Sequence, residues 1–263
     1  MQEREAAEHG LACTYKLLDL DKPGLTADAL PELLTHAEAS GYAGLNITYP
    51  CKQKILPLLT ELSEDARALG AVNTVVFREG KRIGHNTDWW AFAESFRRGM
   101  AGAPMGRVVQ LGAGGAGAAT AYAALRLGAG EVRIFDRIPE RAAGLAAKLQ
   151  ARFGDLRVRT ADDLAAAMTD ADGIIHATPT GMAKHPGLAL DASLLRPELW
   201  LAEVVYFPLE TELLRVAKGL GCRTLNGAGM AVYQAVLAFR LFTGLEADAE
   251  RMQRHFLSMG ETA

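Results

Sequence analysis

With 263 residues, 49% of them hydrophobic and 22% charged, the chain is long enough to bury one large core or two smaller ones without disulfide staples. A formal net charge of −3 and the lack of a basic run exclude recruitment of nucleic acid or an anionic membrane by bulk electrostatics. The three cysteines, Cys13, Cys51 and Cys222, lie far apart without metal-ligand spacing, so neither a disulfide framework nor a bound metal is expected. No uncharged apolar run approaches the ~20 residues that span a bilayer. The charged opening, Met1-Gln2-Glu3-Arg4-Glu5, lacks a signal-peptide core, which makes the cytoplasm the expected location.

In chain order, the first hundred residues alternate strand-like and helix-like segments. Residues 14–20 read as a strand. Thr26 then caps a helix bearing Ala29, Leu30, Leu33 and Leu34, which ends near Gly41. Residues 44–48 are a short buried strand, interrupted by Tyr49-Pro50. A helical stretch covers 55–69, with Ser63-Glu64-Asp65 marking a restart. Residues 74–78 and 81–86 flank Glu79-Gly80, a hairpin signal, and 88–100 is helical again. The Gly/Pro-rich stretch 99–106 is the linker candidate.

From Arg107 the texture becomes regular β-α-β. Residues 107–111 are a strand, 112–117 a glycine loop and 118–127 an Ala-rich helix. A strand over 131–135 and a helix over 139–153 follow; 173–176, 201–205 and 223–225 are later strands, and the tail from Met230 is helical. This alternation predicts a parallel, doubly wound α/β sheet.

The strand 107–111 leads directly into Gly112-Ala113-Gly114-Gly115-Ala116-Gly117, which fits G-x-G-x-x-G at Gly112, Gly114 and Gly117. The first glycine permits a tight turn, the second lets a pyrophosphate approach bare backbone, and the third lets helix and strand pack closely. The phosphates then rest on unpaired N–H groups at the positive end of a helix dipole. Asp136 ends the next strand about twenty residues later, where a ribose 2′-hydroxyl is held. The plainer reading, a glycine-rich packing turn, does not account for the full order of strand, loop, helix, strand and Asp136. A carboxylate at 136 favours NAD over NADP, whereas Arg137 and Arg141 stand close enough to take a 2′-phosphate or to be a solvated helix start.

Several motifs together resemble the shikimate/quinate dehydrogenase family. They are Asn46-Ile47-Thr48-Tyr49-Pro50-Cys51-Lys52, Gly70-Ala71-Val72-Asn73-Thr74-Val75, Gly84-His85-Asn86-Thr87-Asp88 and Ala177-Thr178-Pro179-Thr180-Gly181-Met182. Tyr206-x-Pro208-x-x-Thr211-x-Leu213 and 227–235 (GAGMAVYQA) complete the set, which covers nearly the whole chain in order. The wording around 50–53 and 183–186 is most similar to the branch that uses NAD.

The resemblance implies a catalytic pair at Lys52 and Asp88 and substrate-hydroxyl contacts from Thr48, Asn73 and Gln234. It implies cofactor contacts from Gly112, Ala113, Gly114, Gly115, Ala116, Gly117, Asp136, Arg141, Val204 and Gly227, with Arg137 beside them. Met230 either approaches the nicotinamide or packs in the core. His176, where the family often has Asn, either contacts the cofactor side or is a buried, hydrogen-bonded strand-end histidine. A lysine held by a carboxylate suits alcohol oxidation, because it can relay the hydroxyl proton and polarise the developing carbonyl. Read singly, Lys52 is a surface lysine at a helix start and Asp88 a helix N-cap.

The implied architecture is α/β. An N-terminal α/β substrate domain (1–101) precedes a doubly wound Rossmann domain (102–230), and C-terminal helices (231–263) return to the first domain. The implied partner is a small hydroxylated cyclohexane or cyclohexene carboxylate such as quinate or shikimate, or an amino analogue, with NAD (preferred) or NADP as cofactor; the assembly is open, a homodimer included. The family's opening strand and its Ser-x-Ser or Ser-x-Thr motif, which binds the substrate carboxylate, have no counterpart, since 1–4 aligns with the helix after that strand. A shortened chain, a different anion clamp and lost activity all fit that departure. The competing reading is a dinucleotide-binding regulatory or sensor protein without turnover.

Overall fold

The computed structural model of the chain describes residues 1–20 and 26–260. By contacts between its elements the chain divides into two compact units, Met1–Thr87 with Val232–Ala263, and Asp88–Ala231.

The first unit opens with helix α1 (Gln2–Glu8). No strand forms over residues 14–20. Leu17 is 81% exposed, and the Tyr15 N–H is spent on Glu3 Oε1 at 2.8 Å rather than on a ladder. The segment pairs with no strand among the described residues, and propensity alone does not hold a segment in a sheet. Thr26 does cap as expected, its hydroxyl accepting from the Asp28 N–H. The first turn there is 3-10 before α2 (Leu30–Ala39) begins.

Strand β1 (Gly44–Asn46) precedes α3 (Cys51–Lys54). The single helix expected over 55–69 is broken instead. Pro57 sits in a 3-10 turn, β2 (Glu61–Leu62) pairs with a neighbouring strand, and only then does α4 (Glu64–Leu69) start. Ser63 caps that restart by accepting from the Ala66 N–H, and Gly70 ends it in a left-handed conformation. The hairpin β3 (Thr74–Arg78) and β4 (Lys81–His85) turns at Glu79-Gly80, both at positive φ, as a two-residue loop with the sheet's twist requires. The sheet order is β1-β3-β4-β2. Its apolar face packs with α2 around Leu34, Ile55, Val72 and Val75.

The second unit begins with α5 (Asp88–Gly99), whose Trp89 meets Tyr122 edge-on at 5.4 Å. This packing explains why the division falls ahead of α5 rather than in the 99–106 stretch. Then come β5 (Arg107–Leu111), α6 (Gly115–Arg126), β6 (Glu131–Phe135), α7 (Pro139–Phe153), β7 (Val158–Thr160) and α8 (Leu164–Met168). Strands β8 (Gly173–His176), β9 (Trp200–Glu203) and β10 (Arg223–Leu225), with α9 (Glu212–Gly219) before the last, complete a six-stranded parallel sheet ordered β10-β9-β8-β5-β6-β7. Strands β8 and β9 are buried at every position, as strands covered on both faces must be. The doubly wound expectation holds. Helix α10 (Ala228–Thr243) and α11 (Ala249–Gly260) end the described chain. No helix among the described residues is long and apolar enough to cross a membrane.

Candidate active site

The sheet order places β6 and β7 on one side of β5, and β8, β9 and β10 on the other. The chain therefore reverses direction across the sheet between β5 and β8, where doubly wound folds bind ligands at the strands' carboxyl ends. The glycine loop lies at that point.

Each glycine has a distinct physical reason. Gly112 has φ +96°, and a Cβ there would sit 2.7 Å from the Ala177 carbonyl oxygen at the end of β8. At Gly117 an added Cβ would collide with the Gly112 carbonyl, so helix and strand could not approach as they do. Gly114 is the opposite case. It is the N-cap of α6 without a side-chain cap, and a Cβ would find nothing within 4 Å. Space and uncapped N–H groups coincide where a pyrophosphate is expected, so the residues present fit a dinucleotide.

The loop is held from two sides. Beneath it, buried Gln110 donates to the Gly112 carbonyl (3.2 Å) and accepts from the Thr120 hydroxyl (2.9 Å). At its flank, Asp136 accepts from the Ala113 N–H through Oδ2 (2.8 Å) and from the Ile138 N–H through Oδ1 (2.9 Å). Asp136 is thus fixed against the loop with lone pairs to spare, while Arg137 and Arg141 are exposed. Ala113, Gly115 and Ala116 are half-buried along the same turn.

Val204 and Gly227 are brought together as well. A Cβ at Gly227 would collide with the carbonyls of Val204 and Val205, so only glycine permits that backbone contact. Met230, one turn into α10, is buried at 7% exposure. His176 is the buried strand-end histidine, at 1% exposure, with Nδ1 2.8 Å from Glu203 Oε2.

In the first unit, Lys52 lies half-buried on α3, and its carbonyl accepts from the Val72 N–H at 2.8 Å. That bond ties the lysine's turn to the segment carrying Asn73. The neighbouring Cys51 is buried, which pushes its thiol pKa up against the pull of Lys54, so it is a poor nucleophile. Asn73 is 2% exposed and locked in place: Nδ2 donates to the Thr87 hydroxyl (2.8 Å), and Oδ1 accepts from the Thr87 N–H (2.8 Å) and the Thr74 hydroxyl (3.2 Å). Asn46 extends this network, donating to Thr74 (3.1 Å) and accepting from the Tyr15 hydroxyl (2.9 Å). Thr48 is exposed beyond β1, and Gln234 is half-buried on α10. In the second unit Asp88 is 5% exposed as the first residue of α5, directly after Thr87.

Sequence reasoning missed the supporting residues Gln110, Thr120, Asn46, Thr74, Thr87 and Glu203. The repeated Asn/Thr pairs at 46–48, 73–74 and 86–87 were the available signal for half of them.

Three comparisons bear on this site. The family model described as shikimate dehydrogenase substrate binding domain matches residues 1–75, and that described as shikimate 5'-dehydrogenase C-terminal domain matches 227–255. Between them, the alanine dehydrogenase/PNT C-terminal domain model matches 96–195. The chain is 57% identical over 265 residues to a shikimate dehydrogenase (NADP(+)) of Streptomyces avermitilis, covering 100% of this chain and 91% of that one. It is 48% identical to a quinate/shikimate dehydrogenase (NAD(+)) of Corynebacterium efficiens, covering 98% of this chain and 92% of that one. A solved structure, quinate dehydrogenase from Corynebacterium glutamicum in complex with NAD, superposes with a TM-score of 0.91 at 45% identity, over 98% of this chain and 92% of that one.

Proposed function

Because the chain belongs to the shikimate/quinate dehydrogenase family, we propose that it is an NAD(P)-dependent oxidoreductase acting on a ring hydroxyl of shikimate or quinate. The oxidised partner is 3-dehydroshikimate or 3-dehydroquinate. The observation that carries this reading is the glycine loop at the β5/β8 reversal, with open space and uncapped N–H groups at Gly114. When bound, the dinucleotide supplies the hydride acceptor or donor.

The chain's own groups supply the rest. Residues 1–101, completed by 231–263, hold the ring acid, and 102–230 hold the dinucleotide. Lys52 and Asp88 carry the proton of the reacting hydroxyl, with Lys52 polarising the developing carbonyl. Thr48, Asn73 and Gln234 bind the ring hydroxyls, Asn73 being preset by its bonds to Thr87 and Thr74. The loop 112–117 receives the pyrophosphate, and Val204, Gly227 and Met230 face the nicotinamide half. Asp136 takes the ribose 2′-hydroxyl, which favours NAD; Arg137 and Arg141 are the groups by which NADP would compete.

A cytoplasmic setting and a homodimer belong to the same proposal. The first is supported by three free thiols, two of them buried. Relatives carry enzyme names, and no observation favours a sensor without turnover.

The test is to incubate purified protein with NAD or NADP and quinate, shikimate or an amino analogue while following reduced-nicotinamide absorbance. Turnover of a ring acid supports the reading. Nucleotide binding without turnover on any of them contradicts it.

A further inference from the structure

A continuous run of buried polar side chains joins the core of the second unit to the rim of the glycine loop. Glu203 closes β9 at 1% exposure. Its Oε1 accepts from the N–H groups of Val204 (2.9 Å) and Val205 (3.0 Å), and its Oε2 accepts from the Thr211 hydroxyl (3.1 Å). Thr211 in turn accepts from the Leu214 N–H, which leaves its own proton for Glu203. Each Glu203 oxygen therefore faces donors, and His176 Nδ1, 2.8 and 2.9 Å away, completes the set as an N–H donor. That commitment makes Nε2 the acceptor of the Thr178 hydroxyl proton, with Oγ1 2.5 Å away, while the Thr180 N–H reaches the same oxygen at 3.3 Å. Thr178 stands at the end of β8, its methyl 3.0 Å from where a Cβ on Gly112 would be.

A buried histidine–glutamate pair is a costly way to fill two strand ends, since apolar side chains of similar volume stabilise as well or better. What apolar residues cannot do is aim a hydroxyl. We propose that His176, anchored by Glu203, is a positioning residue that takes the Thr178 hydroxyl proton and so turns the remaining lone pair of that oxygen into the β5/β8 crevice, where it accepts from a ribose hydroxyl of the dinucleotide. This rests on the reading above that a dinucleotide binds there. It adds a determinant of cofactor affinity that reaches the ligand through another side chain.

The experiment uses the full chain and three variants: His176→Asn, Thr178→Val and the double variant. Asparagine places an amide donor near the Nδ1 position and keeps the bond to Glu203, but cannot reach Thr178. Valine keeps the shape of Thr178 without its hydroxyl. The dissociation constant for reduced dinucleotide is read by energy transfer from tryptophan, without ring acid, and KM for ring acid is read separately. Each single variant is expected to weaken dinucleotide binding about threefold to tenfold, the worth of a neutral hydrogen bond. KM for the ring acid should hold, and the double variant should bind no more weakly than either single one. Wild-type affinity in Thr178→Val, or additive losses in the double variant, would overturn the inference even where wild-type protein turns over quinate or shikimate. If the wild-type protein binds no dinucleotide, the underlying reading falls and the inference with it. Thr178→Val alone decides the matter if His176→Asn fails to fold.

Discussion

Gly114 and Gly117 stand three residues apart in the loop after β5, and a methyl group added at each meets different surroundings. Gly114→Ala enters open space at a φ of −75° that alanine adopts freely, so melting temperature should hold while dinucleotide affinity falls tenfold or more. Gly117→Ala drives Cβ into the Gly112 carbonyl and should destabilise by about 1–3 kcal/mol, read by thermal unfolding. Equal effects at the two positions would contradict the division of labour assigned to them. Asp136 gives a second contrast. Asp136→Asn keeps a side chain of the same size but removes the charge that repels a 2′-phosphate. The ratio of kcat/KM for NAD over NADP should then fall about tenfold to a hundredfold. The tight turn at Gly112 and the close helix–strand approach at Gly117 were legible because each rests on a local backbone requirement that spacing alone reveals. Gln110 and Glu203 were not, since a polar residue inside an otherwise apolar strand gives no hint of which neighbour satisfies it.

At the scale of elements, the first unit ties its two ends together. Glu5 on α1 receives the Arg251 guanidinium of α11 at 2.7 and 2.8 Å and the Asp248 N–H at 2.7 Å. Burial pushes the Glu5 carboxyl up, but the bonds from Arg251, the Asp248 backbone and His9, with the arginine's charge, outweigh it and hold the group below its ordinary value. A carboxyl depressed on folding contributes stability that is fully present above its unfolded pKa and is lost as pH falls through the folded value. Arg251→Ala should therefore lower the melting temperature at neutral pH. The gap from wild type should narrow in thermal unfolding as the pH drops below the carboxylate range. A gap independent of pH would show that the bridge adds nothing. The same scale shows where periodicity misled. Residues 55–69 carry a helical pattern, yet Pro57 and the pairing of β2 with β4 divide them. A long-range ladder outweighed local propensity. Ser63, read as a restart, does cap α4, and Ser63→Ala should cost about 1 kcal/mol.

For the whole molecule, the α/β class and the doubly wound sheet were readable because β5 and β6 are short, mostly apolar strands, each followed by a helix with a clear start. The first unit was harder. Its sheet mixes antiparallel and parallel pairs and leans on the Asn46–Thr74–Asn73–Thr87 network, in which side chains 14 and 28 residues apart in sequence meet. Sequence spacing cannot announce such pairs. In the proposed reaction Lys52 handles the hydroxyl proton while hydride passes to or from the nicotinamide. Lys52→Ala, assayed for turnover and for dinucleotide affinity on one preparation, should lower kcat by about a hundredfold to ten-thousandfold with unchanged dinucleotide binding. Turnover near the wild-type rate would remove Lys52 from the chemistry.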